Sequence, residues 1–187
     1  MTHCFSRRSF LKGSAAAAAV LSSPLLPADA AFSEAENGLF SPVSALCQTQ
    51  YGPVRGREGK NGLLCWYGIP YGAAPTGESR WTAPLEPSRW QTVRDCTSPA
   101  PAAYQYTTFP LGTEDCLTLD IYSSAEAKKR PVLVYLHGSA ATGSSLELPG
   151  CELVRDAGCV FVALNYRLGL FGWNCLPALT SGSDATG

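Results

Sequence analysis

The sequence predicts an α/β fold in which a small antiparallel hairpin sheet leads into a mostly parallel central sheet. Short β-like pieces between Cys47 and Trp66 are separated by glycines, a pattern typical of hairpins with tight turns. Further along, two continuous apolar runs, Val132–Leu136 and Cys159–Leu164, flank a short helical stretch at Glu152–Ala157. Strand, helix and strand with wholly apolar strands indicate a parallel sheet buried on both faces.

The segments between these elements carry weaker patterns. Ala31–Pro42 is expected to be a short lead without regular structure, and Tyr67–Trp81 a rigid loop rich in glycine, proline and aromatic residues. Thr82–Pro110 is expected to be mostly irregular, with Trp90 anchored in the core. Leu117–Tyr122 alternates apolar and polar residues, which predicts a strand with one buried face.

Composition excludes several classes of protein. The chain has 187 residues, of which 45% are hydrophobic and 16% charged, so it is long and apolar enough for one domain with a core. Its formal net charge is −1. The basic run Lys128–Arg130 is interpreted as a solvated turn, and no nucleic-acid partner is expected.

Residues 1–30 predict a twin-arginine secretion signal. Arg7 and Arg8 precede the apolar stretch Ala15–Leu26, and the small residues Ala28–Ala30 suit a signal peptidase, with cleavage after Ala30. The apolar stretch is shorter than the ~20 residues of a transmembrane helix, so no stable membrane span is expected. The predicted partner is the twin-arginine export machinery, and the predicted location is periplasmic or extracellular.

Cysteine and histidine usage offers little support for a metal site. Of eight cysteines and two histidines, one of each lies within the signal, and no C-x-x-C pair occurs. We therefore expect no metal ion and no other cofactor. Cys65 and Cys159 stand in apolar runs and are predicted to be packed thiols.

Five segments resemble, in family order, the type-B carboxylesterases, which include cholinesterases and bacterial nitrobenzyl esterases. They are GPVRG (52–56), GIPYGAAPTGESRW (68–81), EDCLTLDIY (114–122), PVLVYLHG (131–138) and NYRLGLFGW (165–173). The resemblance implies an α/β-hydrolase fold, of which residues 31–187 would be the N-terminal part, truncated to about a third of a family member. It also implies a small-molecule ester as substrate.

Family members hydrolyse esters through a triad of Ser, His and Glu or Asp. The sequence contains no G-x-S-x-G motif, and its one histidine after the signal, His137, stands in the oxyanion motif instead. We therefore expect all three triad residues to lie beyond this chain, and the chain alone to be inactive. The resemblance identifies it as the N-terminal portion of an exported serine carboxylesterase.

The segment after Leu136 resembles the family's oxyanion loop in altered form. The family motif reads H-G-G-G; here His137 and Gly138 are kept, while Ser139 and Ala140 replace the later glycines. Their main-chain N–H groups remain available, and small side chains let backbone approach a substrate. A positive φ at Ser139 would cost about 1 kcal/mol. We expect a modified but usable oxyanion hole at Gly138, Ser139 and Ala140, with His137 packed to orient the loop.

The resemblance assigns scaffold roles to four more residues. Arg80 and Glu114 occupy positions that form an ion pair between the N-terminal loop and the body of the family fold. Asn165 and Arg167 are expected to hold the loop after the second central strand.

The resemblance also raises the question of a disulfide. Cys116 is the family's motif cysteine, but Ala103 stands where its partner would be. Cys96 is the nearest substitute, so a Cys96–Cys116 disulfide is the expectation.

Two alternatives to an esterase stay open at this point. One is a non-catalytic binding or adhesion protein of the same fold, because the family includes members without a triad and residues 139 and 140 are altered. The other is a non-functional truncated gene product, whose two apolar strands would leave exposed edges prone to aggregation.

Overall fold

The structure, a computed structural model, describes residues 40–126, 129–148, 150–174, 176 and 178–179, and these residues form a mixed seven-stranded sheet and a separate two-stranded sheet, Gln105–Tyr106 with Pro110–Leu111. These residues belong to one unit, Leu39–Gly187. Arg7, Arg8 and the cleavage site after Ala30 lie outside the described residues. The strands are β1 (Phe40–Gln48), β2 (Pro53–Gly59), β3 (Leu63–Pro70), β4 (Arg94–Asp95), β5 (Gln105–Tyr106), β6 (Pro110–Leu111), β7 (Thr118–Ser124), β8 (Val132–Leu136) and β9 (Val160–Leu164).

The N-terminal half of the sheet is built from hairpins, as predicted. β1, β2 and β3 pair antiparallel in chain order, and β1 begins at Phe40, inside the segment expected to be irregular. Gly56 permits the close approach of β2 and β3, because a Cβ there would lie 2.2 Å from the carbonyl oxygen of Cys65.

The prediction of a mostly parallel central sheet is wrong for the described residues. The strand order is β1-β2-β3-β7-β9-β8, and β7 pairs antiparallel with both β3 and β9. Only β8 with β9, and the short β4 with β2, are parallel. A parallel pair needs a crossover of about a dozen residues or more, usually helical. Of the neighbouring strands, β8 and β9 have a helical one.

That crossover is helix α1 (Gly150–Ala157), close to the predicted helical stretch. Its end is set by Gly158, which has a φ of 62° and donates its N–H to the carbonyl of Val154 at 3.0 Å. The helix packs on β7 and β9. Its first residue, Gly150, lies so close to the ring of Tyr122 that a Cβ would approach to 2.5 Å. A second helix, α2 (Gly169–Gly172), follows β9.

The predicted burial of β8 on both faces is also wrong in the described part of the chain. Val132, Val134 and Leu136 are 62%, 56% and 63% exposed. The strand is the last in the sheet, and α1 packs on β7 and β9 instead. β9 alternates between buried and half-buried positions, so it too is not fully buried.

Among the described residues, two clusters of buried apolar side chains each contain a cysteine. The members of the first are Val54, Trp66, Ile69 and Cys96, and those of the second are Ala103, Cys116, Leu117 and Leu168. Trp90 packs against the first cluster while half-buried, and its Nε1 donates to the carbonyl of Pro53 at 2.9 Å. Cys65 and Cys159 are buried, in agreement with the prediction that they are packed. Within the described residues, no helix combines the length and the apolar character needed to cross a bilayer.

Candidate active site

The chain leaves β8 at Leu136 and enters residues 137–148, called here the post-β8 loop. His137 opens the loop and is only 3% exposed. Its ring stacks on the ring of Tyr166, with centroids 4.2 Å apart and planes 10° apart. The Tyr166 hydroxyl donates to the carbonyl of His137 and lies 3.2 Å from its Nδ1. The pair fixes the direction in which the loop departs from the strand.

Burial keeps the His137 imidazole neutral. Desolvation lowers the pKa of His137 below 6.5, and the nearby Glu147 raises it in part. Because the Tyr166 hydroxyl donates its proton to the carbonyl, its oxygen can accept from Nδ1–H. The other ring nitrogen, Nε2, is buried without a hydrogen-bond partner among the described residues. His137 is thus a packed residue that lies against Tyr166, in the segment that follows β9.

The three residues expected to form the oxyanion hole follow at once. Gly138 and Ala140 are exposed and Ser139 is half-buried. No hydrogen bond within the described ranges uses the N–H of Gly138, Ser139 or Ala140. None of the three has a positive φ, so the strain considered for Ser139 does not arise. The segment therefore contains three main-chain donors that are unused within the described ranges, and none of its three residues has a left-handed backbone conformation.

The Ser139 side chain has a role that its sequence position does not reveal. Its Oγ accepts hydrogen bonds from the N–H of Ala141 at 3.1 Å and of Thr142 at 3.2 Å. The carbonyl of Ala140 accepts from the N–H of Gly169, at the start of α2, at 2.7 Å. The loop is thus held by the carbonyl of Ala140 and by the hydroxyl of Ser139. These bonds leave the N–H groups of residues 138–140 unused.

The far end of the loop rests on a buried polar network, of which sequence reasoning identified Asn165 as a scaffold residue but missed Ser145 and Asp120. Ser145 donates its hydroxyl to Asp120 Oδ2 at 2.6 Å and its N–H to Asn165 Oδ1 at 2.9 Å. Asp120 Oδ1 accepts from the N–H of Gly68 at 2.8 Å. Asn165 Nδ2 reaches Ser145 Oγ at 3.1 Å and Thr118 Oγ1 at 3.4 Å. Asp120, Ser145 and Asn165 are each 2% exposed or less, so the network joins β7, the loop and the end of β9 in the interior.

Arg80 and Glu114 lie together in a two-pronged ion pair. Arg80 Nε donates to Glu114 Oε2 at 2.5 Å, and Nη2 donates to Oε1 at 2.7 Å. The hydrogen bond to Glu114 raises the pKa of Arg80 above its usual value. The guanidinium carbon also lies 5.6 Å from the ring centroids of Trp81 and of Phe171 in α2. The pair connects the loop before β4 with the segment before β7.

Arg167 is buried at 6% exposure, and its Nη1 donates to the carbonyl of Thr82 at 2.9 Å. It borders a cavity of about 10 Å³, which also touches Cys116 and admits roughly one water molecule. The cavity is too small for an ester substrate.

The expected Cys96–Cys116 disulfide is not formed. The two residues are buried free thiols in different apolar clusters, Cys96 with Val54 and Cys116 with Ala103. Burial raises the pKa of both thiols to about 11. No group of three or more His, Cys, Asp or Glu side chains in the described part of the chain is arranged to hold a metal ion.

The described residues form a mixed, mostly antiparallel sheet with one helical β8–β9 crossover, and comparison with known proteins gives the family. The sequence profile of the carboxylesterase family matches residues 43–182. The chain therefore belongs to the carboxylesterase family. The profile of the twin-arginine translocation signal matches residues 4–23, which confirms the predicted export by that route and implies its machinery as a partner.

Individual relatives agree with this assignment. The chain is 38% identical to the para-nitrobenzyl esterase of Bacillus subtilis over 137 residues, which cover 67% of this chain and 28% of the relative. It is 33% identical to esterase B1 of Culex pipiens over 154 residues, or 76% of this chain and 28% of the relative. Among solved structures, a PNB esterase matches with a TM-score of 0.67 and 36% identity over 73% of this chain and 30% of that one. The chain thus spans less than a third of the length of these relatives.

Proposed function

We propose that this chain is the N-terminal portion of an exported serine carboxylesterase and that its post-β8 loop supplies the oxyanion hole. The observation that carries the proposal is the set of N–H groups at Gly138, Ser139 and Ala140. They are consecutive, near the surface, and without a hydrogen-bond partner among the described residues. They also follow directly the carboxyl end of a parallel strand, where ligands bind in α/β sheets.

The chemistry needs such donors. Attack on an ester carbonyl places negative charge on its oxygen, and N–H groups 2.7–3.1 Å from that oxygen stabilise the tetrahedral intermediate. In the proposed reaction a serine hydroxyl attacks the ester, and a histidine takes its proton and gives it to the leaving alcohol, which leaves an acyl-serine. Water then attacks the acyl-serine with the same histidine as base, which releases the carboxylic acid and restores the serine. Serine, histidine and acid would all come from outside this chain. The contribution of residues 31–187 is the scaffold and the donors, once the signal is removed after Ala30.

The scaffold residues support the same function from a distance. Asn165 holds Ser145 at the far end of the loop, and Arg167 bonds the segment that follows β9 to the carbonyl of Thr82. Arg80 and Glu114 would keep the N-terminal loop in place beside α2. None of these side chains is proposed to touch the substrate.

The test is a chimera. Residues 43–182 of this chain replace the matching part of the Bacillus subtilis para-nitrobenzyl esterase, which supplies the remaining sequence. We expect the folded chimera to hydrolyse p-nitrophenyl acetate faster than buffer. Ala140→Pro removes one N–H donor and should lower kcat by about 10²–10³-fold. Ala140→Gly keeps the donor and is the matched control.

Two outcomes would contradict the proposal. The chimera could fold, as judged by circular dichroism, and yet show no hydrolysis. Alternatively, the Ala140→Pro and Ala140→Gly chimeras could have equal kcat values, which would mean that this N–H does not stabilise the reacting oxygen.

A further inference from the structure

We infer that Gln105 is a positioning residue for the post-β8 loop, an inference that rests on the proposed function and goes beyond the oxyanion motif at residues 137–140. Gln105 lies in β5, 38 residues away from the loop residue that it contacts. Its side chain is carried on a short β5–β6 pair outside the main sheet. It is nevertheless only 7% exposed.

The Gln105 amide grips one peptide residue from both sides. Its Nε2 donates to the carbonyl of Gly143 at 3.0 Å, and its Oε1 accepts from the N–H of Gly143 at 2.9 Å. The second hydrogen of Nε2 goes to the carbonyl of Ala103 at 3.1 Å. The side chain thus uses both its donors and its acceptor on backbone groups. Such pairing fixes the orientation as well as the position of Gly143.

Gly143 in turn lies directly against the residue that opens the loop. A Cβ at position 143 would be 2.3 Å from His137 Nδ1 and 2.6 Å from Glu147 Oε1, and its φ is 137°. Only glycine meets both requirements. The backbone that Gln105 holds is therefore packed on the His137 imidazole.

The segment 138–142 is consequently fixed at its two ends by groups outside it, in addition to the bond from the Gly169 N–H to the Ala140 carbonyl. Tyr166 holds His137 at the start, and Gln105 holds Gly143 at the end. Between them, the N–H groups of residues 138–140 make no hydrogen bond within the described part of the chain. Oxyanion donors act best when they are held in place before charge develops, without being consumed by internal bonds. Clamping at the ends satisfies both conditions.

The test uses amide hydrogen exchange of the ¹⁵N-labelled 187-residue protein, followed by NMR. Gln105→Met has similar length and removes both bonds to Gly143. We expect the protection factor of the Gly143 amide, which is its intrinsic exchange rate divided by the observed rate, to be at least tenfold lower in the variant than in the wild type. The Ser145 amide, held by Asn165, and the Tyr67 amide, held by the carbonyl of Cys96, should keep their protection within about twofold.

Gln105→Glu makes the test specific to the amide. At pH 7 its carboxylate could still accept from the Gly143 N–H, but its second oxygen would face the carbonyl oxygens of Gly143 and Ala103 with no proton to share. We expect this repulsion to displace the carboxylate, so protection of the Gly143 amide should be low. Below the pKa of the new carboxyl group, about 4.3 or higher, the protonated acid again offers one donor and one acceptor. Protection of Gly143 should then recover at acid pH in this variant alone. A residue that only fills space would not give this pH profile.

The positioning role is overturned if protection of Gly143 in Gln105→Met equals that of the wild type, or falls in step with Tyr67. It is also overturned if Gln105→Glu shows no recovery at low pH, which decides the matter should Gln105→Met fail to fold. No ester takes part in the exchange experiment. A negative result would therefore overturn only the positioning role of Gln105, and the proposed function would still be tested by hydrolysis with the chimera. An inactive chimera, conversely, would contradict the proposed function, while the contact between Gln105 and Gly143 would remain as an anchor of the loop.

Discussion

Replacing Ser145 with alanine should destabilise the protein more than its size suggests, because its hydroxyl is the centre of the buried network. The hydroxyl donates to the carboxyl group of Asp120 at 2.6 Å and accepts from Asn165 Nδ2 at 3.1 Å. All three residues are almost fully excluded from solvent. Alanine would leave the Asp120 Oδ2 atom and the Asn165 amide without this shared partner.

The magnitude follows from those contacts. A hydrogen bond within a protein contributes about 0.5–1.5 kcal/mol, and a buried polar group left without a partner costs about 1–3 kcal/mol. Asn165 Nδ2 keeps a longer bond to Thr118 Oγ1 at 3.4 Å, which reduces the second contribution. We therefore expect Ser145→Ala to lower the free energy of unfolding by about 2–3 kcal/mol.

The assay is urea unfolding of the 187-residue protein, with Ser144→Ala as the matched control. The neighbouring Ser144 is half-buried, and its hydroxyl accepts one bond, from the N–H of Leu146 at 3.2 Å. Its removal should cost no more than about 1 kcal/mol. The reasoning is refuted if the two variants differ by less than about 0.5 kcal/mol at equal m-values.

Three more predictions concern pH, disulfide formation and activity. Because burial lowers the pKa of His137, the unfolded chain binds this proton first as pH falls below about 6.5, so stability declines on acidification. His137→Gln should flatten the profile between pH 7 and 5 by up to ~1.4 kcal/mol per pH unit, and parallel profiles for the two proteins would contradict this. Ala103→Cys should form a disulfide with Cys116 in the same cluster, closing a loop of roughly 14 residues worth ~3 kcal/mol. Ellman titration of the unfolded, unreduced variant should find one thiol fewer than in the wild type, whereas Ala103→Ser keeps the wild-type number. The chain by itself should not hydrolyse p-nitrophenyl acetate, and turnover above the buffer rate would show that this expectation is wrong.

Features with local signals could be predicted from the sequence. The glycines between Cys47 and Trp66 mark hairpins, because the strands that pair there are adjacent in the chain. Gly158 marks the end of α1, because its positive φ is a property of that residue alone. Which element covers the face of a strand cannot be predicted in this way, because that element can lie far away in the sequence. The apolar run of β8 indicates a strand suited to burial on both faces, but burial depends on what packs there, and α1 packs on β7 and β9.

The site divides in the same way. The histidine and the small residues after β8 mark the proposed oxyanion donors at residues 138–140, because these N–H groups are contiguous in the sequence. Gln105 and Ser145 act through bonds to partners 38 and 25 residues away, and nothing in their immediate sequence sets them apart from other polar residues. The unstrained φ of Ser139 also depends on the loop as a whole.

Asp120 shows why this division is physical. In the alternating strand β7, a polar residue between Leu119 and Ile121 suggests a face turned to water. Yet the face carrying Asp120 is the more buried one, while Leu119 and Ile121 pack at half burial against the first cluster. A carboxyl group can be buried there because Gly68 and Ser145 each donate to it. The alternation of apolar and polar residues in a strand predicts only which face is polar. Whether that face is buried depends on hydrogen-bond partners from distant segments, such as Ser145 in the post-β8 loop.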